Sequence, residues 1–243
     1  MIIRPRNPGE SAQEYAYNTL RDSIVFCELE PGTFLNLQDI CDQLQISRTP
    51  VREAILRLER ERIVEVYPQS GSMVSYVDFR MADNANFVRR AVEKDIVREV
   101  CIRATEADFE QLSNSLELQA FYDQRARIAD LIQEDNHFHD LLFAIADRPN
   151  LNAFFLAGLL HLDRVRNLRT STIRENMVVI HHTAIYDALR LRDPDAASRA
   201  MADHLSEYAL SHRIAIVERY PTFFRPGELD RLHEEAMAAG KAV

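Results

Sequence analysis

Glycine and proline interrupt this chain seldom, at six and nine positions in 243 residues. Where they do fall, they separate a short mixed unit from a long helical one, with the divide near residue 78. Beyond Asp78 the apolar residues recur with a 3.6-residue period over roughly 80–104, 106–126, 128–147, 150–169, 173–192 and 194–217. The breaks carry capping chemistry: Thr105 before Glu106 and Asp108, Arg148-Pro149-Asn150, and Asp193-Pro194. This predicts an all-α domain of six helices. A final stretch, Tyr220 to Val243, reads as a loop and one extra short helix.

The shorter unit has a different pattern. Ser11 to Phe26 reads as a helix, Pro31-Gly32 as a turn, Leu37 to Leu44 as a short helix and Pro50 to Arg62 as another. Two β-prone runs follow, Ile63 to Tyr67 and Met73 to Val77, around the turn-forming Pro68-Gln69-Ser70-Gly71-Ser72. Three helices and a β-hairpin make a winged helix-turn-helix. The expected fold is therefore mainly α, with residues 1–78 as a winged helix-turn-helix, 79–218 as a six-helix bundle and 219–243 as a C-terminal extension.

Composition excludes several function classes. Apolar residues at 47% and charged residues at 28% are globular values, and the length allows one or two domains. Cys27, Cys41 and Cys101 have no CxxC spacing and are odd in number, which argues against a disulfide framework or a zinc finger. The first ten residues hold no signal-peptide core, and the most apolar segment, Leu151 to Leu160, is too short to span a bilayer. A cytoplasmic protein with no membrane partner is expected. The net charge of −9 argues against general coating of nucleic acid. Positive charge is nevertheless local: between Gln45 and Arg62 five arginines face three acids.

That local patch sits in Ile46-Ser47-Arg48-Thr49-Pro50-Val51-Arg52-Glu53-Ala54-Ile55. Ser47 or Thr49 can cap a helix, and Pro50 suits its first turn. On a helical wheel Val51, Ala54, Ile55 and Leu58 share one arc, while Arg48, Thr49 and Arg52 occupy the next. Two arginines and a threonine at a helix N-terminus combine attraction for phosphate with donors that reach guanine edges. The alternative is a surface helix whose arginines pair with Glu53 and Glu59.

With Leu29-Glu30-Pro31-Gly32-Thr33 before it and Val64 through Gly71 to Val74 after it, this run resembles the winged helix-turn-helix of the GntR family of bacterial transcription regulators. The resemblance implies that Arg48, Thr49 and Arg52 contact bases or phosphates in the major groove of double-stranded DNA. It further implies that Ser47 holds a phosphate and that the wing tip at Ser70 and Gly71 enters the minor groove. A homodimer would match a palindromic operator. Two positions depart from the family pattern. Gln38 replaces a charged DNA-contacting residue, and Arg62 replaces the glycine that ends the recognition helix, which either forces a left-handed backbone or adds a basic contact.

In the helical part, Asp135 and His139 of Asp135-Asn136-His137-Phe138-His139 are spaced i, i+4 on the face that carries Leu131, Leu142 and Ala146. His182 falls in the stripe of Val178, Val179, Ile185 and Leu189, and His204 in that of Ala197, Ala200, Met201 and Tyr208. Three inward imidazoles and one inward carboxylate form a candidate three-nitrogen, one-oxygen metal site; the alternative is a set of histidines satisfied within the core. Arg89 lies on the inward stripe of Ala85, Val92, Ile96 and Val100, where it either meets an effector carboxylate or pairs with Glu93 or Asp135. His161 faces inward as well and reads as a hydrogen-bonded core residue.

Residues 80–215 resemble the FCD ligand-binding domain of the FadR subfamily, in its metal-binding branch, through Asp135, Phe138 and His139, through His182, and through Ala197, Met201 and His204. The resemblance implies one divalent ion per chain, zinc, nickel or manganese, with open positions for water or a small carboxylate effector. The expected function is a DNA-binding transcription regulator, a repressor by the commoner mode of that family, controlled by an organic acid at the metal site. A metal sensor is the alternative, and a metal-dependent hydrolase a weaker one, since only Glu93 stands near as a base and no nucleophile or phosphate-loop motif occurs. Phe223 and Phe224 are either core-packing anchors or contacts with another subunit, and the second reading is preferred.

Overall fold

The computed structural model describes residues 1, 3–151, 154, 156–172, 177–206 and 210–238. The first helix, α1 (Ala12–Val25), begins with a capping box in which Ser11 and Glu14 satisfy one another's backbone N–H groups. A two-residue strand, β1 (Phe34–Leu35), precedes α2 (Leu37–Leu44) and α3 (Arg48–Arg60). The hairpin β2 (Val64–Tyr67) and β3 (Gly71–Val74) follows, with Tyr67 opposite Gly71 at its tip. All three strands are antiparallel in the order β1-β3-β2, and β1 has no counterpart in the sequence reading. Gly71 has φ +108°, a conformation suited to glycine, at the wing's turn.

Seven helices follow among the described residues of the long α segment: α4 (Phe79–Arg103), α5 (Glu106–Gln124), α6 (Ile128–Ile145), α7 (Leu156–Thr172), α8 (Val178–Arg190), α9 (Pro194–His204) and α10 (Leu210–Arg219). The mainly helical fold agrees with the periodicity, but the single helix expected over 194–217 is two. Where α9 ends, Nδ2 of Asn86 on α4 donates to the Leu205 carbonyl at 2.9 Å. Thr105 caps α5 and Asp193 caps α9, as the sequence requires. The chain closes with a 3₁₀ turn at Pro221–Phe223 and α11 (Glu228–Ala238).

Two compact units result, and neither is a continuous stretch of chain. One comprises Asp83–Leu156 and Arg166–Tyr208, in which α5 packs on α6 and α8, and α8 on α9. Its core gathers Val97, Val100, Leu112, Phe138, Leu142, Ile185, Leu189 and Met201, all nearly inaccessible to solvent. Such burial is the main force available to hold helices of this length together.

The other unit comprises Met1–Ala82, Ala157–Val165 and Ala209–Val243. Here α1 packs on α3 over Leu20, Ile24, Val51, Ala54 and Leu58. Phe223 and Phe224 are buried in this same unit, with Phe224 stacked on Phe79 at 5.0 Å between ring centroids. The expectation that they face another subunit is corrected accordingly, because their apolar surface is spent within their own chain. Beside them the Val77 N–H donates to the Phe223 carbonyl at 2.9 Å.

Candidate functional site

The recognition helix α3 starts two residues earlier than the sequence reading placed it, at Arg48, with Ser47 as its N-cap residue. The Ser47 hydroxyl makes no capping hydrogen bond, so it and the first N–H groups of the helix remain available to an anion. Ser47, Arg48, Thr49 and Arg52 are all exposed, as are Ser70 and Gly71 at the wing tip. Neither Arg48 nor Arg52 forms an ion pair among the described residues; the pairing with Glu53 and Glu59 that a plain surface helix would show is absent from them. Instead, Arg48 donates from Nε and Nη2 to Oε1 of Gln38, at 3.1 and 2.6 Å, and Gln38 donates to Asp42 at 2.8 Å. The substitution at position 38 thus holds the Arg48 guanidinium in place.

Arg62 takes the left-handed conformation that the missing glycine demands, with φ +63°. Its carbonyl oxygen accepts from Nε2 of His161 on α7, at 3.1 Å. His161 is therefore a hydrogen-bonded core residue, as read.

The four residues of the candidate metal site come together. One ligand atom from each of Asp135, His139, His182 and His204 can be chosen so that all lie within 4.8 Å of one another. Asp135, His139 and His182 are buried and His204 is half-buried. Helix α6 presents the first two from one face, α8 presents His182 and the last turn of α9 presents His204.

Hydrogen-bond partners fix the ring orientations. Nδ1 of His139 lies 2.5 Å from Oε2 of Glu93, and Nδ1 of His182 lies 2.8 Å from Oε1 of Gln119. Both partners accept, so both Nδ1 atoms carry hydrogen and both Nε2 lone pairs point inward. Each of those Nε2 atoms stands 3.1 Å from Nε2 of His204. A single hydrogen on Nε2 of His204 can serve only one of them, which leaves the other lone pair without a donor. Oδ1 of Asp135 is buried without a hydrogen-bond donor, 3.7 Å from Nε2 of His182. A divalent cation among these atoms meets every one of those unmet demands, and a set of imidazoles with one carboxylate suits zinc and its neighbours in the first transition row.

The surroundings complete the electrostatics. Burial would raise the Glu93 carboxyl, but the charge of Arg89 and the hydrogen bonds from His139 and Arg89 overrule it and hold it at about 2. Asp135, which burial would also raise, is instead held well below the usual carboxylate range by the charge of Arg166. Burial pushes His182 down to about 3 and His204 well below its ordinary value, so both are neutral, the form that binds metal. His182 also stacks on Phe138, with centroids 4.3 Å apart.

Arg89 is buried and pairs through Nε with Oε1 of Glu93 at 2.6 Å, the second of the two readings its sequence position allowed. Sequence reasoning missed Gln119 and Arg166. Arg166 ion-pairs with Asp135 and donates to Asn136 at 2.9 Å. Its only trace in the sequence is a basic residue on the buried side of α7. A cavity of about 30 Å³ borders Asp135 and Arg166.

Exposed arginines at the head of a wing-bearing helix, together with a helical domain built round a donor cluster, define a DNA-binding regulator of two parts. Residues 12–74 match the model for bacterial regulatory proteins of the gntR family, and residues 86–207 match the FCD domain. The HTH-type transcriptional repressor RspR of Escherichia coli K12 is 33% identical over 215 residues, covering 85% of this chain and 91% of that protein. The HTH-type transcriptional repressor NanR of Cronobacter sakazakii is 29% identical over 182 residues, covering 66% and 69%. Among solved structures, E. coli McbR/YncC has a TM-score of 0.72 at 22% identity, covering 86% of this chain and 98% of that one. The chain belongs to the GntR family, in the branch that carries an FCD domain, and is a transcription regulator rather than an enzyme. No helix among the described residues is long and apolar enough to cross a membrane.

Proposed function

We propose that this protein is a metal-dependent, ligand-responsive repressor. Residues 1–78 form the DNA-binding domain, 79–218 the effector domain and 219–243 an extension of the chain. Two copies bind a palindromic operator, with Arg48, Thr49 and Arg52 reaching base edges or phosphates in the major groove and Ser47 holding a phosphate. Ser70 and Gly71 bring the wing into the minor groove. Asp135, His139, His182 and His204 hold one zinc, nickel or manganese ion per chain. Bound there, the ion supplies open coordination positions for the carboxylate of a small organic acid, and the Arg89 guanidinium, held at Nε by Glu93, takes a second carboxylate through its Nη atoms. Operator affinity changes because the acid binds the DNA-bound and the free conformations unequally.

The observation that carries this reading is the crowding of Nε2 lone pairs on His204 beside the donorless Oδ1 of Asp135. Metal content of the purified protein, wild type beside His182→Ala/His204→Ala, tests it. About one ion per chain in the wild type, lost in the variant, is the expected result. Wild-type protein that takes up no zinc, nickel or manganese overturns it. Operator binding that responds to metal alone, with organic acids inert, would make the ion itself the signal.

A further inference from the structure

A second cavity, of about 540 Å³, lies apart from the histidine cluster and wholly within the unit that contains α3 and the wing. Its walls come from the end of α3, the strand β2, the segment that follows β3, the start of α4, His161 of α7, and α11. That volume is typical of a small-molecule site.

Half of its eight charged groups are engaged with one another. Arg225 pairs with Glu65 and Arg231 with Glu228, each at 2.7 Å. Asp78 accepts from the backbone N–H groups of Arg80 and Met81, at 2.8 and 3.2 Å, which commits it to the start of α4. Among the carboxylates, guanidiniums and imidazole of the lining, four groups are left without a side-chain partner among the described residues: the guanidiniums of Arg62 and Arg80, the Glu59 carboxylate and Nδ1 of His161. His161 is only 2% exposed, and because the Arg62 carbonyl can only accept, the ring hydrogen belongs to Nε2. Nδ1 is then a bare lone pair, buried with no partner.

Two cations, one anion and one acceptor complement a zwitterion. A simple organic acid would satisfy the arginines and leave Glu59 and His161 unmet. An ammonium group beside the carboxylate serves both, and the apolar lining of Val64, Val77 and Phe79 offers a place for an aliphatic or aromatic side chain. We propose that this cavity binds a free α-amino acid with an apolar side chain. Its carboxylate meets Arg62 and Arg80, and its ammonium meets Glu59 and Nδ1 of His161. Because Glu59 and Arg62 flank the end of the recognition helix and Val64 begins the wing, occupancy bears directly on the DNA-reading elements, without passing through the metal centre.

Calorimetry on the full chain tests this, with L-leucine, 4-methylpentanoate, which lacks the amine, and 3-methylbutylamine, which lacks the carboxylate. Leucine is expected to bind the wild type and His182→Ala/His204→Ala alike, and each analogue about tenfold or more weakly. The double variant Arg62→Asn/Arg80→Gln should weaken leucine by a similar factor at unchanged metal content. If the histidine variant does not fold, metal-loaded wild type beside Arg62→Asn/Arg80→Gln gives the same comparison. The proposal is overturned if neither leucine, methionine nor phenylalanine binds at low-millimolar concentration. Leucine binding that disappears with the histidines and ignores the arginine variant overturns it as well. A protein that lacks metal but binds leucine would sink the metal-centre reading and leave this one standing.

Discussion

Oε2 of Glu93 lies 2.5 Å from Nδ1 of His139, so a carboxylate on α4 sets the orientation and basicity of an imidazole on α6. The other oxygen of Glu93 is held by Arg89 at 2.6 Å, which prevents the carboxylate from turning away. Outer partners of this kind govern how well a histidine serves a metal. Replacing Glu93 with Gln should weaken metal binding by about 10- to 100-fold while the four donors stay in place. Competition against a chelator of known affinity measures this; an unchanged dissociation constant would remove Glu93 from the site's workings.

His161 makes stability depend on pH. Burial is the main reason its pKa falls from 6.5 to about 4, with the nearby Arg164 charge adding to it. As pH drops below about 6.5 the unfolded chain takes up a proton that the folded chain refuses until about pH 4, so stability present at neutral pH is lost across that window. The loss amounts to about 3 kcal/mol at most. His161→Gln removes this one titration, and its urea-unfolding free energy should fall less steeply than the wild type's between those limits. Equal slopes would mean the histidine is not held neutral.

Arg164 is wholly buried and donates from Nη2 to the Ser75 carbonyl at 2.7 Å and from Nη1 to the Ser75 hydroxyl at 3.2 Å, just past the end of β3. Arg164→Ala should destabilise the fold by about 3–5 kcal/mol, through the cavity left and the carbonyl stranded in it. Arg164→Met restores much of the volume and should cost only about 1–3 kcal/mol, the share due to the lost hydrogen bonds. Chemical denaturation that finds the two variants equal would place the whole effect in the hydrogen bonds.

Arg52 is exposed on α3 without an ion-pair partner among the described residues. On an operator obtained by selection from random DNA, Arg52→Ala should lose about 1–3 kcal/mol of affinity if the side chain reads a base. The loss should then concentrate at one base position. A uniform loss across sequences, with a shallower salt dependence, would assign Arg52 to a phosphate instead.

Much of this was legible because it rests on local rules. Capping residues and apolar period placed the helices, and the i, i+4 spacing of Asp135 and His139 fixed their common face. Position 62 showed that a glycine was missing, and the backbone there has the left-handed φ that a non-glycine residue had to accept. What stayed hidden depends on long-range pairing. Nothing local marks Gln119 as the partner of His182, or Arg166 as that of Asp135, since both contacts join helices far apart in sequence. The short strand β1 has only two residues, too few for a period. The carbonyl at the end of α9 is met by Asn86, which lies on another helix.

The hydrogen bond from Val77 to Phe223 joins the end of the wing to the last fifth of the chain, and Phe224 seals Phe79 from behind. During synthesis the wing therefore leaves the ribosome long before the residues that finish its packing have been made. The part of the protein that is translated first is the part completed last, so a chain interrupted after the FCD domain would carry Asp135, His139, His182 and His204 yet lack a finished DNA-reading unit.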